Sequence, residues 1–413
     1  MTKILYRVAQ IWGSTHLMMR IFCGIVIGTV LALTCPGLSG VSILGTLFVG
    51  ALKAIAPVLV AVLVMSSVAK ARQGLGERFR TVITLYLAST LLAAVLAVFV
   101  SQAFPLTLTL SGVVGAENPA PGELGDIFNN LARDIMSNPL TAVSSASYLS
   151  VLFWSIIIGV ALKRKASDKT INVLQEVADS VTLVVQWVIQ CAPFGILGLV
   201  YTSVSESGLD IFTTYGKLIA LLVGCMLTVS LGINPLISGI MLRKNPYPLV
   251  WKCLKGSAVS AFFTRSSAAN IPMNMALCKR MGLDEDFYSV SIPLGCTINM
   301  DGAAITITVM TLATCHTMGI DVSLGSALVL SILATLGACG ASGVAGGSLL
   351  LIPMACALFG VSNDIAMQVV AVGFIIGVIQ DSVETALNSS GDAMFTATAD
   401  LYDRKKRGME VKF

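Results

Sequence analysis

Six apolar stretches, near residues 17–35, 42–69, 81–104, 140–162, 178–204 and 216–241, fill most of the first 241 residues. Each can cross a ~30 Å hydrocarbon core as a helix, which takes ~20 apolar residues, and the longer ones must tilt to fit. Of the 413 residues, 55% are hydrophobic and 12% charged, whereas a soluble domain carries about 25% charged residues. Too few charges remain to wet an exterior of this size. The expected class is an all-α polytopic membrane protein with little room for a soluble domain. Two histidines, His16 and His316, are too few for a histidine-built metal centre. The ten cysteines, such as Cys23, Cys191, Cys225, Cys296 and Cys356, lie mostly in apolar runs without C-x-x-C spacing. They read as small core residues. No cleavable leader is expected, because no small-residue cleavage site follows the first apolar run. The net charge of +4 gives no case for nucleic-acid binding.

The basic residues sort by side. Lys3 and Arg7, Lys70 to Arg80, Lys163 to Lys169, Arg243 to Lys255, Lys279–Arg280 and Arg404 to Lys412 fall on one alternate side. Arg133 and Lys217 lie opposite, with Glu117, Glu123, Asp126, Glu206 and Asp210. By the positive-inside rule both termini are cytoplasmic. Residues 253–278 then lie between two cytoplasmic segments, and they carry Thr264-Arg265-Ser266-Ser267 and Asn270 at their centre. A charge at the centre of a span costs ~2.5–3.5 kcal/mol on insertion scales, so this segment reads as a re-entrant hairpin with a protein-lined tip. Residues 287–315 cross outward, interrupted at 297–302, and 365–398 must cross back. The intervening 325–359, broken over 337–348, is therefore a second re-entrant hairpin entering from the opposite face. Eight spans and two hairpins in inverted repeat point to a transport site at the midplane.

On the last span, at ~100° per residue, Asp381, Glu384, Thr385, Asn388 and Asp392 share one face. Intramembrane acids of this kind face a pathway or a partner. With Asp301 they make four potential negative charges against Arg265, which is expected to pair with Asp381 or Glu384. The remaining acids call for protons or bound cations. The hydroxyls, amides and freed carbonyls nearby are hard oxygen donors that suit an alkali cation. The reading is cation-coupled transport, with sodium more natural than proton. Backbone N–H groups at Ser266–Ser267 can meet a carboxylate where a half-helix begins. Gly343, Gly346 and Gly347 let the second hairpin approach a ligand and swing as a lid.

The set T-R-S-S at 264–267, N-M-D-G at 299–302, G-V-A-G-G at 343–347 and N-S-S-G-D at 388–392 resembles the dicarboxylate/amino-acid:cation symporters of the glutamate-transporter superfamily, over nearly the whole chain. The frame P-L-G-C-T-I-N-M-D-G is similar to the bacterial serine/threonine:sodium branch. The resemblance implies a homotrimer in the bacterial cytoplasmic membrane that works by an elevator motion. Residues 14–72 and 139–206 would form the scaffold and trimer contact, 79–104 and 215–400 the moving transport part, and 401–413 a basic cytoplasmic tail. It further implies that Ser266, Ser267 and Asn388 receive a substrate α-carboxylate and Asp381 its ammonium. Met300, Ala303, Val344, Gly346, Glu384 and Thr385 would line the same pocket. One sodium would lie among Gly295, Asn299, Asn388 and Asp392, and a second among carbonyls of Thr297, Ala338, Cys339 and Ala341. A third would use Asp301 and Asn299 with Tyr86, Ser89 and Thr90.

Acidic-substrate members of that superfamily carry an arginine where this chain has Glu384, and a threonine at Ala303. A buried carboxylate at 384 would repel an acidic side chain and could accept a hydroxyl, so the expected substrate is serine or threonine. The alternative is an acidic amino acid or dicarboxylate held by Arg265. A remoter alternative is a rhomboid-type intramembrane protease, because Gly340-Ala341-Ser342-Gly343 matches the G-x-S-G nucleophile motif. Such a serine needs a base, and no histidine follows His316. Lys53, close to Pro57 in the second run, is expected to snorkel or pack within the scaffold.

Overall fold

A computed structural model describes residues 15, 17–70, 77–110, 136–341 and 346–409. Lys3, Arg7, Glu117, Glu123, Asp126, Arg133, Ser342, Gly343, Val344 and Lys412 lie outside the described residues. Among the described residues every regular element is helical. The helices are α1 (Leu17–Thr34), α2 (Ser39–Lys70), α3 (Glu77–Ala103), α4 (Pro139–Ser144), α5 (Tyr148–Lys165), α6 (Asp168–Gln190), α7 (Ala192–Ser207), α8 (Ile211–Thr228) and α9 (Asn234–Leu242). There follow α10 (Tyr247–Cys253), α11 (Val259–Thr264), α12 (Ser267–Arg280), α13 (Glu285–Ile298), α14 (Asp301–Thr317), α15 (Leu324–Ala338), α16 (Ile352–Ala357) and α17 (Asn363–Lys406). Among the described residues, five helices are long and apolar enough to cross a membrane, and the bent pair α6–α7 brings the number to six. Large apolar side chains such as Leu236, Ile240 and Phe263 stand 62%, 68% and 67% exposed. Leu324, Leu328, Ile332 and Leu336 form an exposed stripe on α15. These surfaces suit lipid: the protein is a multi-pass membrane protein.

Local chemistry sets the element ends. Ser362, Ser323 and Asp284 cap α17, α15 and α13 by accepting from backbone N–H groups two or three residues on, the usual treatment of orphan donors at a helix start. The run at 178–204 differs from expectation, because its helix starts at Asp168 and bends by 52° between α6 and α7. Pro193 enters at the start of α7, where its missing N–H is tolerated. The run at 140–162 also departs from a single span. It holds the short α4, a turn with Ala146 at φ 54, and then α5. The first hairpin arm begins at Tyr247, not near 253, and α17 continues through Lys406, so that the front of the basic tail is still helical.

Between α8 and α9 a π turn spans Val229–Ile233, immediately before Asn234–Pro235. Proline has no N–H to donate and clashes with the carbonyl four residues back, here that of Leu231. That carbonyl accepts instead from the Tyr247 hydroxyl at 3.1 Å. The widened turn fits a functional position, because it presents Asn234 to the interior.

Packing falls into two groups. Helices α1, α2, α5, α6 and α7 pack on one another, with α2 against α5, α6 and α7. The α2–α7 contact is so close that a Cβ on Gly198 would stand 2.4 Å from the backbone nitrogen of Gly45, a small-residue crossing typical of membrane helices. In the second group α14 packs against α3, α15 and α17, and both hairpins pack on α17. A cavity of about 360 Å³ lies between the groups, lined by Ser42, Thr46, Lys53, Asp364, Gln368 and neighbours. Lys53 is ion-paired there with Asp364 of α17; it is not confined to the α2 packing.

Candidate functional site

At the tip of the first hairpin α11 ends and α12 begins, so a helix carboxyl end meets a helix amino end. Arg265 stands between them at φ 52, a conformation that non-glycine residues adopt only when the surroundings hold them. Its N–H donates to Ala261 O at 2.9 Å. Its guanidinium Nε lies 2.7 Å from Asp381 Oδ2, with both side chains buried. Of the two acids expected to pair with it, Asp381 does so. Arg265 Nη1 is buried without a partner. Ser266 caps α12, its hydroxyl accepting from Ala269 N–H at 3.2 Å, and Ser267 is buried in the first turn.

The other oxygen of Asp381 accepts from the backbone N–H of Gly346 at 3.1 Å. Gly346 has φ 72, a left-handed turn that lets the second hairpin bring its backbone down to the acid. Asp381 therefore ties both hairpins to α17. One turn on, Glu384 Oε2 accepts from Thr306 at 2.7 Å, Ser348 at 3.0 Å and Gln380 at 2.5 Å. Thr385 spends its hydroxyl on Asp381 O within the helix at 2.7 Å. Asn388 Oδ1 accepts from Gly302 N–H at 2.8 Å, and its Nδ2 faces Met300 Sδ at 3.5 Å. Ala303 is fully buried in the adjoining turn of α14.

The helix pair α13–α14 breaks over two residues only, Asn299 and Met300. Asp301, first in α14 and fully buried, accepts from Ser89 at 2.7 Å, Thr90 at 3.0 Å and Asn234 at 2.7 Å. Tyr86 is not among its partners. That hydroxyl sits instead by Thr396 at 2.9 Å and donates toward the carbonyls of Ser291 and Asp392. Asn299 likewise turns to the other acid, donating to Asp392 Oδ1 at 3.0 Å and to Asn388 O at 3.2 Å. Its own Oδ1 is buried without a partner. A Cβ on Gly295 would strike Asp392 Oδ1 at 2.7 Å and the Tyr86 hydroxyl at 2.8 Å, so glycine keeps this cradle open. Under the second hairpin, Cys339 Sγ reaches Ile298 O at 3.8 Å. Ala338 O accepts from Ala341 N–H at 2.9 Å, and Thr297 bonds back to Leu294 O.

Asn234, Thr306, Ser348 and Gln380 were missing from the sequence-derived set. Gln380 stands one turn before Glu384 and was legible in the polar stripe; the other three come from distant segments with no local signal. Among the described residues, Arg265 neutralises Asp381, while Asp301, Glu384 and Asp392 are bonded only to neutral groups. A buried carboxylate without a cation is costly. The hard oxygens clustered around these acids can hold one.

A sequence model of the sodium:dicarboxylate symporter family matches residues 17–401. The chain belongs to that family. The match spans every residue of the site, and a sodium:dicarboxylate symporter homologue is a transporter, which sets aside the protease reading of Ser342. The chain is 54% identical over 410 residues to a serine/threonine transporter of Bifidobacterium adolescentis, covering 99% of this chain and 95% of that one. It is 53% identical over 394 residues to a serine/threonine transporter of Streptococcus agalactiae serotype Ia (95% and 98% covered). A Streptococcus thermophilus protein of the same name is 51% identical over 400 residues (97% and 99% covered).

Proposed function

We propose that this symporter imports serine and threonine with sodium across the cytoplasmic membrane, by an elevator-type alternation of its two packing groups. The observation that carries the cation is the unpartnered Asn299 Oδ1 beside Asp392, with Asp301 likewise surrounded by neutral oxygens and an amide. Sodium would use Gly295, Asn299, Asn388 and Asp392 in one site, and Asp301 with Ser89, Thr90 and Asn299 in another. A further set would be the carbonyls of Thr297, Ala338, Cys339 and Ala341. Tyr86 belongs with the Asp392 set in this reading. For the amino acid, Arg265 Nη1, Ser266, Ser267 and Asn388 would take the α-carboxylate, Asp381 the ammonium, and Glu384 a side-chain hydroxyl. The names of the three relatives support that substrate.

The pairing of Lys53 with Asp364 supports sliding between the groups. Lys53 lies about 21 Å along α2 from Ser39, at ~1.5 Å per residue, whereas Asp364 is in the first turn of α17. With both helices starting outside, as positive charge at the opposite ends argues, the start of α17 lies against the middle of α2, a register that suits a transport group displaced inward. Both termini then face the cytoplasm, and the exposed apolar faces of the first group are available for a homotrimer.

The unpartnered Arg265 Nη1 also favours a second reading, symport of acidic substrates. Uptake into proteoliposomes under a sodium gradient separates the two. Serine and threonine should compete with labelled serine, and aspartate should not. Competition by aspartate in place of threonine overturns the substrate, and uptake indifferent to sodium overturns the coupling.

A further inference from the structure

The donors around Glu384 are unevenly spent. Thr306 from α14, Ser348 from the second hairpin and Gln380 from α17 all bond to the same oxygen, Oε2. Gln380 Nε2 also donates to Thr306 Oγ1 at 2.7 Å, so the threonine hydroxyl accepts there and points its own hydrogen at the carboxylate. Among the described residues, Oε1 of Glu384 accepts nothing, and it is not among the buried atoms lacking a partner. It is the oxygen left open to a further donor, since all three described donors are on Oε2. Exposure follows the same order: Gln380 and Thr306 are at 0%, Ser348 at 1%, and Glu384 at 5%. The three donors are more deeply buried than the acid they hold.

We infer that Gln380, Thr306 and Ser348 are positioning residues that set side-chain selectivity by clamping Glu384 through Oε2, leaving Oε1 as the acceptor for a substrate hydroxyl. Three neutral donors on one oxygen hold charge there without neutralising it. A carboxylate so held stays an acceptor and presents it in a fixed direction, the pre-organisation that lets a site read a hydroxyl. An unclamped Glu384 could rotate, and the hydroxyl would lose its aligned partner. Ser348 brings the second hairpin into the clamp, so the acceptor is fully formed only when that hairpin lies against α17. An analogue without a hydroxyl, such as alanine, uses every other contact but not Oε1.

The inference rests on the proposed serine/threonine function, and the test separates their failures. Sodium-driven uptake of serine and alanine is measured for the wild type and for Gln380→Leu, Thr306→Val and Thr306→Ser. In Gln380→Leu and Thr306→Val the serine-over-alanine ratio of kcat/KM should fall about tenfold, the worth of one well-aligned hydrogen bond. Alanine uptake should stay within about twofold, and Thr306→Ser, which keeps the hydroxyl, should keep the ratio. If both substrates decline together, the residues act only structurally and the inference fails. An unchanged ratio in Thr306→Val fails it too, even where Gln380→Leu yields no folded protein. Absence of sodium-driven serine uptake in the wild type would instead overturn the function beneath it.

Discussion

Replacing Asp301 by asparagine keeps the shape of a fully buried side chain and removes its charge. Asp301 Oδ2 accepts from Ser89 Oγ and Asn234 Nδ2, and Oδ1 from Thr90 Oγ1. An amide NH₂ at the Oδ2 position would meet the Asn234 amide donor to donor, so the substituted side chain should place its nitrogen toward Thr90. That hydroxyl can rotate to accept, and the hydrogen-bond network survives. The loss therefore falls on the cation. Removing one partner of a buried ionic contact costs about 3–5 kcal/mol, which at ~1.36 kcal/mol per decade raises half-saturating sodium by roughly two to four decades. Serine uptake into proteoliposomes, titrated with external sodium, measures the shift. Melting in detergent gives an independent readout, because a ligand that binds only the folded state stabilises it by RT ln(1 + [L]/Kd). Sodium should raise the melting temperature of the wild type more than that of Asp301→Asn. A half-saturating concentration within about threefold of wild type would refute Asp301 as a cation ligand.

Arg265→Ala leaves Asp381 buried without its 2.7 Å partner, a change worth about 3–5 kcal/mol. Serine uptake should fall at least a hundredfold; uptake within tenfold of wild type would show that the pair is dispensable. On the proposed elevator motion, charge reversal at Lys53 or Asp364 should shift the ratio of its two end positions by up to about fivefold, since pairs this exposed are worth ~0.2–1 kcal/mol. Spin-label distances between α2 and α17 report that ratio, and the double swap Lys53→Asp with Asp364→Lys should restore it. At the start of α3, the Arg78 guanidinium hydrogen-bonds Asp284 at 2.9 Å and holds its carboxyl below the ordinary value of 3.8. A depressed folded pKa contributes stability above the unfolded value and loses it as pH falls through the folded one. Melting temperature should thus carry this group's full contribution, with no pH dependence from it, between about pH 5 and 8, and show a loss below about pH 4 that is smaller in Asp284→Asn. An equal acid loss in the variant would remove Asp284 from that role.

Periodicity and charge made part of this legible, for local reasons. The face shared by Asp381, Glu384, Asn388 and Asp392 follows from 3.6 residues per turn on one helix, and the hairpin tip at Arg265–Ser266 follows from a charge that lipid would not tolerate. The bend at Cys191 was hidden because apolar character continues across it, although Pro193 was a marker. Asn234 reads as an ordinary polar interruption of a span until Asp301, 67 residues away, is found against it. Tyr86 meets Thr396 and the Asp392 carbonyl while Ser89 and Thr90 meet Asp301, because three residues on one helix face stand about 4.5 Å apart along the axis. Pairings that depend on which helix packs beside which cannot be read along one chain segment.

The hydrogen bonds at Asp381 have unequal strength, and that orders the events of binding. Oδ2 carries an ion pair with Arg265, while Oδ1 accepts from an uncharged donor, the N–H of Gly346. Both bonds end on the same carboxylate, but only the one to Arg265 adds the attraction of opposite charges in a buried setting. An incoming ammonium needs one oxygen. Taking Oδ2 would leave Arg265 buried without a counter-charge, whereas taking Oδ1 frees only the backbone N–H of Gly346 on the second hairpin. On the proposed function, therefore, substrate entry should release the second hairpin at Gly346 before it disturbs the first at Arg265. The Ser348–Glu384 bond, two residues further along the same hairpin, would be the contact through which a correctly seated hydroxyl amino acid draws it back.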